Sequence, residues 1–278
     1  MKVLVTGAGG QLGRALQRLG AVGRTRAELD VTDAAAVAAS LDELRPDLVV
    51  NAAAYTAVDR AESEPGAAFA TNEVGARTVA AACAARGIAL VHPSTDYVFD
   101  GEKPAPYVET DAPHPLGVYG ASKAAGERAV LVEHPGAVVV RTSWLFSADG
   151  ANFVKTMLRL AREKPVLRVV ADQRGGPTFA GDLARIVLAL AERRAPAGIY
   201  HAAGDGPTTW HGLAVAVVDE AARAGRAPRV PVEPIGTADY PTAARRPRTS
   251  ILDTGKLRAL GIVPAPWIEG VRAVVQAS

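Results

Sequence analysis

The first half of the chain alternates short apolar runs with longer alanine-rich runs of helical character. The apolar runs are "KVLVTG", "DLVVNAAA", "IALVHPST" and "GAVVVRTSWLF". Between them lie "QLGRALQRLG", "AAFATNEVGARTVAAACAARG" and "YGASKAAGERAVLVEH". Strands separated by helices of this length predict βαβ units. The pattern therefore predicts an α/β fold, with a doubly wound parallel sheet and helices on both of its faces.

A glycine-rich turn follows the first predicted strand. The stretch "TGAGGQLG" places Gly7, Gly10 and Gly13 directly after the strand and at the start of a helix. A tight turn, close approach of the backbone to a pyrophosphate and close packing of helix on strand each require a missing side chain. The amides at the start of the helix then face the phosphates. In this βαβ setting the turn predicts a Rossmann-type dinucleotide site, the alternative being a plain glycine-rich turn.

The second half of the chain is less regular. After Ser147 a helix, a short strand and a second helix are still recognisable, but from Pro228 onward prolines crowd the sequence. We expect a dinucleotide-binding Rossmann domain over residues 1–147 and a smaller α/β lobe, mainly for substrate binding, over residues 148–278. Some segments of the second part are expected to return to the Rossmann domain. A cleft between the two units is the natural place for a ligand.

The choice of cofactor depends on the residues after the second strand. An acidic side chain there binds the adenosine ribose of NAD, whereas arginine accommodates the 2′-phosphate of NADP. Arg24 and Arg26 lie where a 2′-phosphate would bind, while Asp30 comes later and, with Val31, would border the adenine. The alternative is a solvated loop with ordinary surface arginines. We expect NADPH as the cofactor, with NADH also accepted.

Composition excludes several classes of protein. A net charge of +2 over 278 residues gives no signal for nucleic-acid binding. No apolar run reaches the roughly 18 residues that a membrane span needs. The predicted first strand begins at Lys2, so no signal peptide is expected before it. The single cysteine, Cys83, excludes an internal disulfide framework. We therefore expect a cytoplasmic protein. The five histidines show no metal-ligand spacing, so no metal site is predicted.

Polar side chains are gathered where the third apolar run ends. Ser94, Thr95, Asp96 and Tyr97 follow "IALVHP", at the carboxyl end of a predicted strand, where open α/β sheets bind ligands. The alternative is that they cap the next element or form an Asx-type turn.

A second pair of reactive residues lies on the following helix. Tyr119 and Lys123, in "YGASK", are four residues apart and so share a helix face. A neighbouring ammonium group and an oxidised nicotinamide both favour the phenolate of a tyrosine. Such a tyrosine can give a proton to a carbonyl oxygen as hydride reaches the carbonyl carbon, and the lysine can also hold the nicotinamide ribose.

Together these motifs resemble the extended short-chain dehydrogenase/reductase family. The finer match is to the branch of that family that performs the last step of dTDP-L-rhamnose synthesis. It extends in order from residue 6 to about residue 257, and its most specific stretches are "AAYTAVDRAE" and "STDYVFDG". The other matching stretches are "TGAGGQLG", "LDVTD", "YGASKAAGE", "RTSWLF", "DQRGGPT" and "RRPRTSILDTGKL".

The resemblance implies a role for each matching residue. Thr95 takes the place of the usual catalytic serine and hydrogen-bonds the keto oxygen of the sugar, Tyr119 is the proton donor, and Lys123 is its partner on the cofactor. Asp96 contacts the sugar and Trp144 lines the pocket, although a tryptophan at a strand end also fits a core position. The cofactor-binding residues implied by the turn and by the resemblance are Gly7, Gly10, Gln11, Leu12, Gly13, Asp30, Val31, Ala54, Tyr55 and Thr56, together with Tyr119 and Lys123.

Three arginines near the end of the chain form a further candidate site. Arg245, Arg246 and Arg248 would clamp the nucleotide diphosphate, because a guanidinium group pairs bidentately with phosphate. The alternative is a solvated charge run. Some relatives form a Mg²⁺-bridged dimer through acidic residues on the first helix, but here "QLGRALQRLG" has none. Mg²⁺ is therefore doubtful, and a homodimer without a metal bridge stays open.

The activity implied is NAD(P)H-dependent reduction of dTDP-6-deoxy-L-lyxo-4-hexulose to dTDP-L-rhamnose. One alternative is another nucleotide-sugar 4-ketoreductase, with a different sugar or base. The other is a non-catalytic NADP-binding regulatory subunit. The presence of Thr95, Tyr119 and Lys123 argues against that second alternative, since a site that no longer catalyses a reaction has no reason to keep all three. The expected partner is a small nucleotide sugar, and neither nucleic acid nor a membrane is expected.

Overall fold

Twelve strands and eleven α-helices are present in the computed structural model, which describes residues 1–278. The strands are β1 (Val3–Thr6), β2 (Val22–Arg24), β3 (Leu48–Asn51), β4 (Ala89–Thr95), β5 (Val138–Thr142), β6 (Leu145–Phe146), β7 (Leu167–Val170), β8 (Arg174–Gly175), β9 (Thr178–Phe179), β10 (Gly198–His201), β11 (Thr208–Thr209) and β12 (Val232–Ile235). The helices are α1 (Gln11–Arg18), α2 (Ala34–Leu44), α3 (Val58–Ala61), α4 (Pro65–Phe69), α5 (Ala76–Ala84), α6 (Val118–Glu133), α7 (Phe153–Glu163), α8 (Ala180–Glu192), α9 (Trp210–Arg223), α10 (Gly255–Ala259) and α11 (Trp267–Gln276).

Six strands form the main sheet, in the order β2-β1-β3-β4-β5-β10, and every pair in it is parallel. The prediction of a doubly wound parallel sheet is therefore confirmed. The chain passes from β2 back across β1 to β3, so the strand order reverses between β1 and β3. The carboxyl ends of these two strands lie at the switch point, where open α/β sheets bind their ligands.

The sheet is covered on both faces, and its sequence explains why. Every residue of β1 and β3 is buried, as expected of strands that carry apolar side chains on both faces of a sheet covered by helices on both sides. One face packs against α1 and α8, for example through Leu16 and Leu183. The other packs against α2, α5 and α6, for example through Leu41 and Val130.

The helix predicted over residues 67–87 is interrupted. A π-helical turn, Ala70–Gly75, joins α4 to α5. Inside that turn the buried Asn72 amide accepts a hydrogen bond from the Tyr55 backbone N–H at 2.9 Å and donates to the Tyr55 carbonyl at 3.1 Å and to Ser122 Oγ at 2.9 Å. The wide turn thus fixes the loop after β3 to α6, a long-range contact that helical periodicity does not reveal.

The lone cysteine belongs to one of these covering layers. Cys83 on α5 is fully buried among residues of α2, α5 and the sheet. Burial raises the pKa of its thiol to about 12, so the thiolate is scarce at neutral pH.

The smaller lobe contains three two-stranded pairs, β7 with β12, β8 with β11, and β6 with β9. Its core is formed largely by α7, α9 and α11, with Leu158, Val217 and Val274 among its buried residues. Two elements of the second half of the chain lie in the main sheet system instead: β10 pairs with β5, and α8 packs beside α1. None of the helices has both the length and the apolar character that a bilayer span requires.

Candidate active site

A cleft of about 740 Å³ lies between the carboxyl edge of the main sheet and the smaller lobe. Its walls come from the turn after β1, the ends of β3, β4 and β5, the first turns of α6, and the starts of α7 and α9. Most of the residues implied by the sequence line it: Gly7, Gly10, Gln11, Leu12, Gly13, Ala54, Thr56, Thr95, Asp96, Tyr119, Lys123 and Trp144. The cleft therefore joins the predicted dinucleotide turn to the predicted reactive groups.

The glycine turn has the geometry that a dinucleotide needs. Gly7 has a φ of +64°, and a Cβ at this position would lie 2.6 Å from the carbonyl oxygen of Ala52. A Cβ on Gly13 would lie 2.5 Å from the carbonyl oxygen of Gly7, so only glycine allows α1 to pack this close to the turn. Gly10 is the N-cap residue of α1 and supplies no side-chain hydrogen bond, and the first turn of the helix has no acidic residue. Its first amides thus suit a phosphate.

A second cavity, of about 350 Å³, lies beside β2 and β3. Asp30, Val31 and Tyr55 line it, as expected for residues bordering an adenine. Arg26 lines both this cavity and the main cleft. Arg24 lines neither, and its guanidinium group lies 3.7 Å from Glu43. The structure thus separates the two arginines that the sequence left equivalent.

Three reactive side chains line this cleft together. Thr95 ends β4, Tyr119 lies in the first turn of α6, and Lys123 lies one turn further on. Burial raises the pKa of Tyr119 to about 12; a hydrogen bond with Thr95 opposes this rise, and the Asp96 charge adds to it. Burial lowers the pKa of Lys123 to about 8, opposed by the Glu127 carboxylate. Near neutral pH the tyrosine is therefore a phenol that can donate a proton, beside a largely protonated lysine.

Asp96 follows Thr95, lines the same cleft and is almost completely buried. Its carboxylate accepts hydrogen bonds from Thr95 Oγ1 at 3.1 Å and from Ser250 Oγ at 2.5 Å. Burial raises its pKa to about 7, and the two hydroxyl hydrogen bonds oppose that rise. Ser250 was not predicted from the sequence. The only signal for it is its position within the stretch "RRPRTS", directly after the candidate arginines.

Trp144 lines the cleft and is only partly buried. Strand β5 ends at Thr142, and the chain bends so that Trp144 has a φ of +48° before β6 begins. Its indole stacks on Trp210, and Phe153 packs against Trp210 in turn. Trp210 and Phe153 also line the cleft but were not predicted, because both resemble ordinary apolar positions at the start of a helix.

The three C-terminal arginines have different surroundings, and none lines the main cleft. Arg246 donates to Asp59 Oδ2 at 2.7 Å and lies over the Tyr97 ring. Arg245 is exposed and borders a small pocket together with Tyr97 and Tyr119. Arg248 is exposed. The diphosphate clamp stays a prediction, and Arg245 is the member of the three beside the reactive tyrosine. The structure contains no cluster of three or more His, Cys, Asp or Glu side chains arranged to hold a metal ion.

Known proteins resemble this chain along its whole length. Residues 1–278 match the family described as "RmlD substrate binding domain". The chain is 45% identical to dTDP-4-dehydrorhamnose reductase of Aggregatibacter actinomycetemcomitans, with 99% of each sequence covered. It is 42% identical to the enzyme of that name from Salmonella typhimurium, with 99% of this chain and 97% of that one covered.

Solved structures agree with this assignment. The dTDP-4-dehydrorhamnose reductase of Bacillus anthracis, in complex with NADP, superposes with a TM-score of 0.93 at 39% identity, covering 100% of both chains. The UDP-glucose 4-epimerase of Thermus thermophilus, in complex with NAD, gives a TM-score of 0.80 at 26% identity, covering 100% of this chain and 98% of that one. The chain therefore belongs to the dTDP-4-dehydrorhamnose reductase family, within the extended short-chain dehydrogenases/reductases, as its motifs predicted.

Proposed function

We propose that this chain is an NAD(P)H-dependent reductase that converts dTDP-4-dehydro-β-L-rhamnose to dTDP-L-rhamnose. The observation that carries the proposal is that Thr95, Tyr119 and Lys123 line one cleft, which extends from the glycine turn to the smaller lobe. The full-length relatives named dTDP-4-dehydrorhamnose reductase support the choice of substrate.

The side chains divide the work of ketone reduction among them. The bound nicotinamide supplies hydride to the 4-keto carbon. The Tyr119 phenol donates its proton to the keto oxygen, and the Thr95 hydroxyl hydrogen-bonds the same oxygen, so the carbonyl becomes an alcohol. The Lys123 ammonium group stabilises the tyrosinate that remains. The walls formed by the smaller lobe limit water around the reacting carbon.

NADPH is the proposed physiological cofactor. The turn of Gly7, Gly10 and Gly13 suits the pyrophosphate, and Arg26, at the junction of the two cavities, is placed to meet a 2′-phosphate. The related Bacillus anthracis enzyme is in complex with NADP. NADH would use the same turn without the Arg26 contact, so we propose that it is also accepted.

The two parts of the chain are proposed to bind different ligands. Residues 1–147, together with β10 and α8, would bind the dinucleotide, and the remaining residues would enclose the nucleotide sugar. We infer a cytoplasmic location, because the single buried thiol needs no oxidising compartment. A homodimer would lack a metal bridge, since α1 carries no acidic residue.

Turnover with a panel of substrates tests this function. Purified protein is incubated with NADPH or NADH and with 4-keto sugars linked to dTDP or UDP, while cofactor oxidation is followed and the product stereochemistry is determined by NMR. We expect the highest kcat/KM with dTDP-4-dehydro-β-L-rhamnose. A higher value with another sugar or base would identify a different 4-ketoreductase. Tight NADPH binding without turnover of any sugar would instead indicate the regulatory role.

A further inference from the structure

A buried histidine contacts the lysine of the reactive group. His92 lies on β4, three residues before Thr95, and is 1% exposed. Its Nε2 atom is 3.5 Å from Lys123 Nζ, and the same ammonium group donates to the carbonyl oxygen of Pro93 at 2.8 Å. An ammonium group has three N–H donors. With two of them directed at β4, one remains for Tyr119 and the nicotinamide ribose.

The far side of the imidazole is held by two further polar side chains. In the structure the Asn51 amide nitrogen faces His92 Nδ1 at 3.4 Å, and Thr6 Oγ1 donates to Asn51 Oδ1 at 2.7 Å. Thr6 Oγ1 also accepts the Ala53 backbone N–H at 3.3 Å. An ammonium group can only donate, so Nε2 is the accepting nitrogen of the imidazole and Nδ1 carries the proton. The Asn51 amide, turned over from its orientation in the structure, then accepts from Nδ1 through its oxygen and donates to Thr6 Oγ1 through its nitrogen.

The imidazole is neutral in this setting. Burial holds the pKa of His92 well below its usual value, and the positive charge of Lys123 lowers it further. A neutral imidazole keeps one nitrogen without a proton, so it can accept a hydrogen bond at neutral pH.

No other group duplicates this contact. The Glu127 carboxylate, one turn along α6, forms a two-bond ion pair with the buried Arg141 at 2.9 and 2.7 Å. Asp96 is engaged by Ser250 and Thr95. Tyr119, on the same helix face, faces the cleft. His92 and the Pro93 carbonyl are therefore the acceptors that fix the direction of the Lys123 ammonium group.

We propose that His92 is a positioning residue: its neutral imidazole, held by Asn51 and Thr6, accepts a hydrogen bond from Lys123 and aims the ammonium group at Tyr119 and the nicotinamide ribose. The proposed effect of His92 on turnover rests on the proposed function. Its proposed effect on cofactor binding through Lys123 does not, because cofactor binding needs no sugar substrate. The contact also stabilises the charged lysine, because accepting a hydrogen bond favours the protonated form.

Two amide substitutions separate the roles of the two imidazole nitrogens. In His92→Gln the amide oxygen occupies approximately the position of Nε2 and can still accept from Lys123. In His92→Asn the amide nitrogen occupies approximately the position of Nδ1, so the side chain can donate to Asn51 but does not reach the lysine. His201→Asn is the control, because His201 is an equally buried imidazole on β10 that bonds the Tyr107 carbonyl and not Lys123.

The measurement is the dissociation constant of NADPH against pH, by nicotinamide fluorescence, followed by kcat/KM against pH for the sugar. We expect the alkaline limb of both profiles to move down by about one pH unit in His92→Asn. The limb should stay in place in His92→Gln and His201→Asn. An unchanged limb in His92→Asn, or equal shifts in the Asn and Gln variants, would overturn the positioning role. If the wild type turns over no sugar but the NADPH-binding profile shifts in His92→Asn as expected, the proposed function is contradicted and the His92 contact is still supported.

Discussion

The indole of Trp144 lies face to face on the indole of Trp210, with ring centroids 3.6 Å apart and planes only 7° apart. Two features of the backbone make this stack possible. Trp144 adopts a left-handed φ of +48°, and its ring lies against Gly175, where a Cβ would come within 2.5 Å of the indole. Because both rings line the cleft, the pair forms an aromatic wall on the side of the smaller lobe.

Removing the second ring of this wall should weaken substrate binding. We expect Trp210→Ala to raise the KM of the sugar nucleotide by about two- to tenfold, since a stacked aromatic pair is worth about 0.5–1.5 kcal/mol. The dissociation constant of NADPH should not change. Trp267→Ala is the matched control, because Trp267 packs on the core of the same lobe without lining the cleft. Equal effects of the two substitutions on KM would show that the lobe is merely destabilised.

Replacing the proposed proton donor should abolish most turnover without affecting cofactor binding. Tyr119→Phe keeps the ring and removes only the hydroxyl, so kcat should fall by about 10²–10⁴, the range typical of general acid catalysis. Tyr200→Phe removes a phenol on β10 outside the cleft and should retain nearly normal kcat. Steady-state kinetics beside an NADPH titration make the comparison. Near-normal turnover in Tyr119→Phe would remove this residue from the mechanism.

Cofactor preference should depend on Arg26 and not on Arg24. Arg26→Ala is expected to raise the KM of NADPH about tenfold and to leave the KM of NADH almost unchanged, because only NADPH carries the 2′-phosphate. Arg24→Ala should have little effect on either, since Arg24 faces Glu43 outside both cavities. The two KM values are measured for each variant with the sugar in excess. If Arg26→Ala changed both cofactors equally, its side chain would have no contact specific to the phosphate.

One of the C-terminal arginines is expected to hold the substrate diphosphate. Arg245→Ala should raise the KM of the sugar nucleotide roughly ten- to a hundredfold while NADPH binding stays intact, because this exposed guanidinium borders the pocket beside Tyr119. Arg246→Ala and Arg248→Ala should have smaller effects, as Arg246 already pairs with Asp59 and neither residue lines a cavity described above. Kinetics of the three single variants test this order. A normal KM in all three would mean that the diphosphate is bound elsewhere.

Asp96 should make the stability of the protein dependent on pH. Its pKa is about 7 in the folded chain, above the value of about 3.9 for an unfolded aspartate. Between these values the folded state binds more protons than the unfolded state, so the free energy of unfolding falls as the pH rises from about 4 to about 7. Asp96→Asn removes this ionisation. The variant should therefore gain stability over the wild type as the pH rises toward 8.

Urea denaturation midpoints measured at several values between about pH 4 and pH 8 test that dependence. Ser40→Ala serves as the control, because it alters a buried polar side chain that does not titrate in this range. A difference between Asp96→Asn and wild type that stays constant across the range would show that Asp96 is already ionised throughout it.

The parts of the site that follow from local sequence were predictable. The glycines are required by the turn in which they lie, and Tyr119 and Lys123 share a face because they are four residues apart on one helix. Trp210 and Ser250 were missed, because each is tied to the site by a contact with a residue distant in the chain. The break between α4 and α5 was missed for the same reason, since Asn72 bonds the loop at Tyr55. The individual roles of the site residues stay predictions.

Because Cys83 is buried, the only thiol of the chain reports when helix α5 separates from the sheet. A thiol-labelling reagent reaches it only when α5 lifts from the sheet, because the side chain is fully buried and its thiolate is scarce. Labelling at low denaturant therefore measures how often this layer separates, without any introduced probe. Since the reactive groups lie at the carboxyl edge of the same sheet, the rates with and without NADPH would tell whether cofactor binding at that edge is transmitted to the helices behind it.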